Sequence, residues 1–218
     1  MLLRHGESQG NAEARMQGRR DYPLSALGRE QAARAAAFIG ASGLGLDAVY
    51  TSPLARAFQT ANIVAKRGIR PEPEVDEDLP EIGAGTLEGM SEAEIREAHP
   101  QFMRRSLTET GDVAEYGGES YSDVQARVRR LLDKLEARHR KLEQRVLLVG
   151  HGGFHYQLTK ALICEPVPRV CIIKFGNCTV SLLRLRERRG LYRAELVFHV
   201  PVELMGGTSG EGAARLFR

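Results

Sequence analysis

The segment that most restricts the fold is Val146-Leu147-Leu148-Val149, followed at once by Gly150-His151-Gly152-Gly153. Four consecutive apolar residues have no polar face, so a strand here must be covered on both sides, as in a parallel sheet layered with helices. The glycines mark a tight turn, and Phe154, Leu158, Ala161 and Leu162 return at helical spacing beyond it. The same unit recurs upstream. Met1-Leu2-Leu3 is a short apolar run, and Leu46 to Tyr50 reads as a second buried strand. After it, Ser52-Pro53 suits a helix start, with Ser as cap and Pro in the first helical position. Leu54, Phe58, Ala61 and Ala65 would line that helix's inner face. Strands alternating with helices predict an α/β protein, a three-layer α/β/α sandwich around a mostly parallel sheet.

Other signals fill in the order of elements. Ser25 can cap an alanine-rich helix to about Ile39, closed by Gly40 and Gly43. Residues 67–80, rich in Pro and acid, suit a loop with a short edge strand. Ser91 and Glu94 form a capping box ahead of a short helix that stops near Pro100. Residues 106–120 read as irregular, and a long helix follows with Val124, Val128, Leu131, Leu132 and Leu135 inward. Two strands are expected near 178–186 and 191–200. With 218 residues, one domain over 1–205 is expected, carrying an inserted cap or specificity segment at 84–120. Residues 206–218 are Gly-rich and read as a flexible tail.

Charge and composition exclude several classes. Thirty-one basic and 28 acidic residues leave a net charge of +3. The arginines cluster at Arg127, Arg129 and Arg130, and at Arg184, Arg186, Arg188 and Arg189. Such runs ordinarily mark a solvated helix face or a hairpin turn. Nucleic-acid binding would want a basic stripe interleaved with aromatics, and the chain has six Tyr, seven Phe and no Trp. No apolar run approaches the roughly 18–20 residues of a membrane span. The tetrapeptide Arg4-His5-Gly6-Glu7 occupies the place of a signal peptide, so the expected compartment is the cytoplasm. Cys164, Cys171 and Cys178 are an odd set without CxxC pairing, which describes neither a disulfide framework nor a zinc knuckle.

Sheets of this kind bind ligands outside the carboxyl ends of their strands. Arg4-His5-Gly6-Glu7 follows the first strand, Arg56 lies just beyond the second, and His151 follows the strand ending at Val149. Two histidines and two arginines on one sheet edge, beside glycines or helix starts, suit an anion with several oxygens. A neutral imidazole can attack phosphorus, and arginines can hold the equatorial oxygens of a transferring phosphoryl group. A carboxylic acid must protonate the leaving oxygen; Glu81 and Glu88 are the candidates. His151 and His155 have the i, i+4 spacing of a zinc pair, but no Glu follows His151 and glycines fill the turn, so no metal is expected. Gly40 to Gly45 lacks the Lys-Ser/Thr of a phosphate loop.

These residues carry a resemblance. Leu2-Leu3-Arg4-His5-Gly6-Glu7-Ser8 with Asn11 resembles the signature of the histidine phosphatase superfamily, also called phosphoglycerate mutase-like. It continues in order through Met16-Gln17-Gly18, Leu24-Ser25-Ala26-Leu27-Gly28, Ser52-Pro53-Leu54-Ala55-Arg56-Ala57 and Gln59-Thr60-Ala61. Leu79-Pro80-Glu81-Ile82-Gly83, Leu87-Glu88-Gly89, Gly117-Gly118-Glu119-Ser120 and Gly150-His151-Gly152-Gly153 complete it, over roughly residues 1–185. The resemblance implies His5 as the phosphorylated nucleophile, with Arg4, Arg56 and His151 around the phosphate. Glu81 matches the proton donor of the phosphatase-type branch. Asn11, Gln17 and Gly152 would be further phosphate or substrate contacts, and Glu7 would orient the loop. No cofactor and no metal are implied.

Two departures stand out: only three residues precede Arg4-His5-Gly6, and Phe154-His155-Tyr156 replaces a common Ile-Arg pair. The expected activity is hydrolysis of a small phosphomonoester through phosphohistidine. The alternatives are a phosphoglycerate mutase-type transfer and an idle phospho-ligand scaffold. Mutases of the glycolytic branch carry an E-R-H-Y-G block and a Trp-Asn pair; this chain has Glu81-Ile82-Gly83-Ala84-Gly85 and no Trp. The expected partner is a small phosphorylated metabolite, with neither nucleic acid nor membrane; a homodimer is compatible. His99, Arg104 and Arg105 lie in the segment expected to overhang the pocket.

Overall fold

A computed structural model describes residues 1–104, 112–139, 143–163, 173–188 and 191–205. The predicted 206–218 tail, Cys164, Cys171 and Arg105 lie outside them. In chain order the elements are β1 (Leu2–Arg4), α1 (Gln9–Ala12), α2 (Ala26–Ala41), β2 (Ala48–Thr51), α3 (Ala55–Lys66) and β3 (Glu74–Val75). There follow α4 (Glu92–Ala98), α5 (Pro100–Arg104), α6 (Tyr121–Arg138), β4 (Val146–Gly150), α7 (Gly152–Ile163), β5 (Val180–Arg188) and β6 (Leu191–Val200).

The strands form one sheet in the order β3-β2-β4-β1-β5-β6. The pairs β2–β3, β2–β4 and β1–β4 are parallel, while β5 runs antiparallel to β1 and to β6. The apolar runs serve both faces, because successive side chains of a strand point to opposite sides. Leu3, Val49, Leu147 and Val149 pack against Ala32, Ala35, Ala36 and Ile39 of α2 and Ala61 and Val64 of α3. Leu2, Tyr50 and Leu148 pack against Val124, Val128 and Leu131 of α6 and Phe154 and Leu158 of α7. This is the expected three-layer α/β/α sandwich, and β1 is a three-residue strand, Leu2–Arg4, that ends next to His5. Among the described residues no helix is long and apolar enough to cross a membrane.

A smaller cluster lies apart from both layers. Ala84, Leu87, Ile95, Val113 and Tyr116 bury one another, with Met16, Met90 and Phe102 packed around them. It gives residues 84–120 an apolar centre of their own, where sequence periodicity suggested only a short helix and a loop. Ser91, Ser120 and Ser25 cap α4, α6 and α2 through their side chains, the first two as full capping boxes. Gly40 is the penultimate residue of α2, and Gly43, with a φ of 66°, follows the C-cap Ser42.

Three local expectations are corrected. Helix α3 begins at Ala55 with Leu54 in the capping position; the Ser52 hydroxyl accepts from Leu54 N at 3.3 Å, ahead of the helix, and pairs with His151 Nε2 at 2.8 Å. Phe58 is 39% exposed; the buried face of α3 is Arg56, Ala57, Thr60, Ala61, Val64 and Ala65, so of the expected face Ala61 and Ala65 are buried and Phe58 is not. Arg127 is not solvated. It is 3% exposed, and with Arg130, Lys134 and Arg138 it forms a cationic stripe on α6 that grips the acidic stretch 74–81. Charge-run statistics gave no hint of this because the partners are about 50 residues away in sequence.

The loop after β1 is shaped by two glycines that touch. A Cβ on Gly28 would lie 1.9 Å from the Glu7 carbonyl oxygen, and one on Gly6 would lie 2.3 Å from that of Gly28. In a helix Ala is ordinarily favoured over Gly by about 1 kcal/mol. Here the contact is with backbone, which cannot turn aside as a side chain would. Gly28→Ala is therefore expected to destabilise the fold by about 3 kcal/mol, as overpacking does. Urea unfolding checks it; a stability equal to or above that of the parent would mean that the loop yields freely.

Candidate active site

The carboxyl ends of β1, β2 and β4 are neighbours, and each delivers part of one cluster. His5 leaves β1 with its backbone N–H on Gly150 O at 2.9 Å, so the β1–β4 ladder extends one residue into the site. Its Nδ1 lies 2.6 Å from the carbonyl of Gly6. A carbonyl only accepts, so Nδ1 carries the proton and the Nε2 lone pair is left free. The His5 carbonyl accepts from Cys178 N and from Asn177 Nδ2, both at 3.2 Å, and Gly6 N donates to Thr60 Oγ1. Glu7 accepts from the Ser25 hydroxyl through its side chain and from Ser25 N through its carbonyl. The loop is thus held by α2, by α3 and by the turn ahead of β5.

His151 faces His5 at a ring-centroid distance of 5.1 Å. Its Nε2 pairs with Ser52 Oγ, while its Nδ1 is buried without a partner among the described residues. Arg56, 1% exposed, donates to the carbonyls of Gly18 at 2.7 Å and Arg20 at 3.0 Å. Arg4 donates to Phe175 O at 2.5 Å. The Nε atoms of both arginines are buried and unpaired among the described residues. Two guanidinium groups and an imidazole with unspent hydrogen-bonding capacity around one histidine form a cradle for an oxyanion.

Burial and the neighbouring guanidinium charges push the imidazoles of His5 and His151 well below the usual histidine range. Both are neutral at physiological pH, the form in which an imidazole nitrogen is nucleophilic. Arg4 and Arg56 lose part of their basicity to burial, and the negative charge of Glu81 works against that loss in both. Glu81 lies at the start of α7: its carboxylate accepts from Ile82 N, Gly153 N and Phe154 N at 2.9–3.0 Å. A Cβ on Gly153 would come within 2.7 Å of it, so the third glycine of the turn leaves room for the carboxylate.

Glu88, the rival acid, accepts from Arg19 N and Ala84 N and serves the loop around Gly18. Gln17 accepts from Ser8 Oγ at 2.6 Å, and Asn11 accepts from Asn177 Nδ2 at 3.1 Å, so both flank the His5 loop. Gly152 opens α7 beside Arg4. His99 meets the Tyr116 ring edge-on, with centroids 5.1 Å apart. Sequence spacing missed Ser52, Asn177 and the carbonyl of Phe175; the last two lie more than 160 residues from their partners. Cys178, the cysteine within the described residues, is buried with its thiol pushed up by that burial.

His155 sits behind the cluster. It is fully buried, its ring meets Phe175 edge-on, and neither nitrogen has a partner among the described residues. Burial lowers its pKa to about 3, helped by the charges of the chain's amino terminus and Arg4. An unfolded imidazole takes its proton near 6.5. Between those values the unfolded chain binds more protons, so stability falls as the pH drops from about 6.5 toward 3. His155→Leu is expected to flatten that fall by an amount on the order of 5 kcal/mol over the whole window. Urea unfolding at pH 7, 5 and 4 measures it. Parallel pH curves for the two proteins would show that His155 is not the titrating group.

A sequence model of the histidine phosphatase superfamily (branch 1) matches residues 1–195. The bifunctional protein of Mycobacterium tuberculosis is 39% identical over 135 residues, 62% of this chain; the chain spans about a third (36%) of that relative's length. Phosphoserine phosphatase 1 of Hydrogenobacter thermophilus is 31% identical over 191 residues, covering 88% of each chain. A probable phosphoglycerate mutase of Salmonella paratyphi A is 32% identical over 194 residues, 87% of this chain and 86% of its own. The structure of a mycobacterial glucosyl-3-phosphoglycerate phosphatase in complex with VO3 superposes with a TM-score of 0.75 at 32% identity, covering 89% of this chain and 95% of the other. With the match spanning the sheet, the His5 loop and the β4–α7 turn, the chain belongs to the histidine phosphatase superfamily, branch 1.

Proposed function

We propose that this chain hydrolyses a small phosphomonoester by way of a phosphohistidine on His5. The observation that carries the proposal is the 2.6 Å contact between His5 Nδ1 and Gly6 O, which leaves Nε2 as a free lone pair inside the cationic cradle. In the first step Nε2 attacks phosphorus and the ester P–O bond breaks. Arg4, Arg56 and His151 hold the equatorial oxygens, where charge is greatest in the transition state. Glu81, as the acid, gives its proton to the departing oxygen. In the second step water attacks phosphorus, the P–N bond breaks, and the Glu81 carboxylate takes the water's proton. Inorganic phosphate leaves and the enzyme is restored. Asn11 and Gln17, with their amide nitrogens, and the backbone of Gly152 are assigned to the outer phosphate or substrate contacts.

Residues 84–120, with their own apolar cluster, are assigned to the wall that selects the alcohol part of the substrate. The proposed setting is cytoplasmic, the proposed ligand a small phosphorylated metabolite, and the proposed unit a single domain over 1–205, alone or as a homodimer. A mutase would return the phosphoryl group to another hydroxyl of the same molecule, and the similarity to a probable mutase favours testing it. The decisive assay supplies phosphoserine, glucosyl-3-phosphoglycerate and 3-phosphoglycerate in EDTA, the last also with a bisphosphate primer. Release of inorganic phosphate without formation of 2-phosphoglycerate is the expected result. Primer-dependent 2-phosphoglycerate with little phosphate release would replace hydrolysis by the mutase.

A further inference from the structure

Glu81 stands on a stretch with no regular secondary structure, yet proton transfer demands that its carboxyl be placed within a few tenths of an ångström. Arg127, from the middle of α6, supplies the missing support. Its Nη1 donates to the carbonyls of Asp78 at 3.0 Å and Pro80 at 2.5 Å, and its Nη2 reaches that of Glu81 at 3.5 Å. The other edge of the fork meets Glu119: Nε on Oε1 at 3.1 Å and Nη2 on Oε2 at 2.8 Å. Glu119 takes hold of the stretch from beyond Glu81, accepting from Gly83 N and donating its own N–H to Gly83 O, both at 2.8 Å.

The same guanidinium lies over the Phe154 ring, 4.3 Å from its centroid. Phe154 N–H is one of the donors to the Glu81 carboxylate. Arg127 therefore touches both the main chain that carries Glu81 and the helix start that its carboxylate binds. A buried ion pair is a poor source of stability, since hydrophobic residues of similar volume often do as well. A planar fork answering three carbonyls and one carboxylate makes better sense as a geometric constraint.

We propose that Arg127 and Glu119 are positioning residues for the proton-transfer step, setting the Glu81 carboxyl against the leaving oxygen. The inference rests on the role proposed above for Glu81. It makes a demand that a purely structural pair would not. A 4-nitrophenolate can depart with little help from an acid, whereas an alkoxide cannot. Weakened proton transfer therefore costs an alkyl phosphate far more than a nitrophenyl one, while a general loosening of the fold costs both alike.

The test compares kcat/KM, which reports the phosphorylation step and not the later water step that Glu81 also serves, for 4-nitrophenyl phosphate and for whichever of phosphoserine and glycerol 3-phosphate the wild type turns over faster. The variants are Glu81→Gln, Arg127→Lys, Glu119→Gln and the double variant Arg127→Lys/Glu81→Gln. Glu81→Gln should lose about 10²–10³-fold on the alkyl ester and at least tenfold less on the nitrophenyl ester. Arg127→Lys should show the same selectivity at smaller size, about 10–100-fold on the alkyl ester, with KM little changed. In the Glu81→Gln background it should add almost nothing, because the two changes remove one function. Glu119→Gln, which keeps the side chain's size, should behave like Arg127→Lys and guards against a variant that fails to fold. Equal losses on both esters, or full additivity with Glu81→Gln, would overturn the positioning role. Should Glu81→Gln itself show no leaving-group selectivity, Glu81 is not the acid and this inference falls with that assignment.

Discussion

His5→Ala is expected to fold normally and to lose at least about 10⁴-fold in kcat, the scale on which removal of a covalent nucleophile acts. Both halves follow from how His5 is held. The bonds that fix its loop belong to its main chain: its N–H to Gly150 O and its carbonyl to Cys178 N and Asn177 Nδ2. Alanine keeps all of them. The one side-chain bond lost, Nδ1–H to Gly6 O, is worth about 1 kcal/mol net. What disappears is the Nε2 lone pair that the contact of Nδ1 with Gly6 O leaves free beside the two guanidinium groups. Residual rate would reflect the cradle acting on a bound water, as oxyanion sites do after loss of their nucleophile. Initial rates in EDTA, with urea unfolding as the control, measure both.

Removing Arg56 should produce the next largest loss, about 10²–10³-fold in kcat/KM for Arg56→Ala, the range found when a preorganised charge at the transition state is deleted. Arg56 is unusual in facing two tasks at once. It is buried at 1% exposure, spends two N–H groups on Gly18 and Arg20, and keeps Nε unspent beside His5 and His151. Truncation leaves both carbonyls unpaired in a buried setting, so a stability loss of about 2 kcal/mol should accompany the loss of rate. Arg56→Lys should recover the charge but not the fork and remain well below the parent. Inhibition by inorganic phosphate should weaken in parallel with kcat/KM; a loss of rate with unchanged phosphate affinity would place Arg56 outside the cradle.

The layers were legible because they depend on short-range patterns. Val146 to Val149 had no polar face, and the structure covers that strand on both sides. The capping box at Ser91 is a three-residue signal, and α4 starts there. His5, Arg4, Arg56 and His151 could be placed on one edge because each follows a strand whose carboxyl end the parallel topology fixes.

What stayed hidden depends on long-range pairing. Ser52 looked like a helix cap, and nothing local showed that its hydroxyl also meets His151, 99 residues on. Arg127 sat in a run of arginines on a helix, and only the fold could show that one of them turns inward to Glu119 and the carbonyls of 78–81. Asn177 carries no local signature, since its partner His5 is 172 residues away. His155 differed from the usual family pattern, but its burial with no hydrogen-bond partner among the described residues had no counterpart in periodicity.

The central claim is that the phosphoryl group passes through His5, and the direct measurement is to trap it there. Wild-type protein mixed with ³²P-labelled substrate in EDTA and quenched in base within milliseconds should carry label that is stable to base and released by acid, as a phosphoramidate is. Peptide mapping should place it on His5, and His5→Ala should carry none. Label on another residue would move the nucleophile. Turnover with no labelled protein at any quench time would contradict the covalent route and leave direct attack by water.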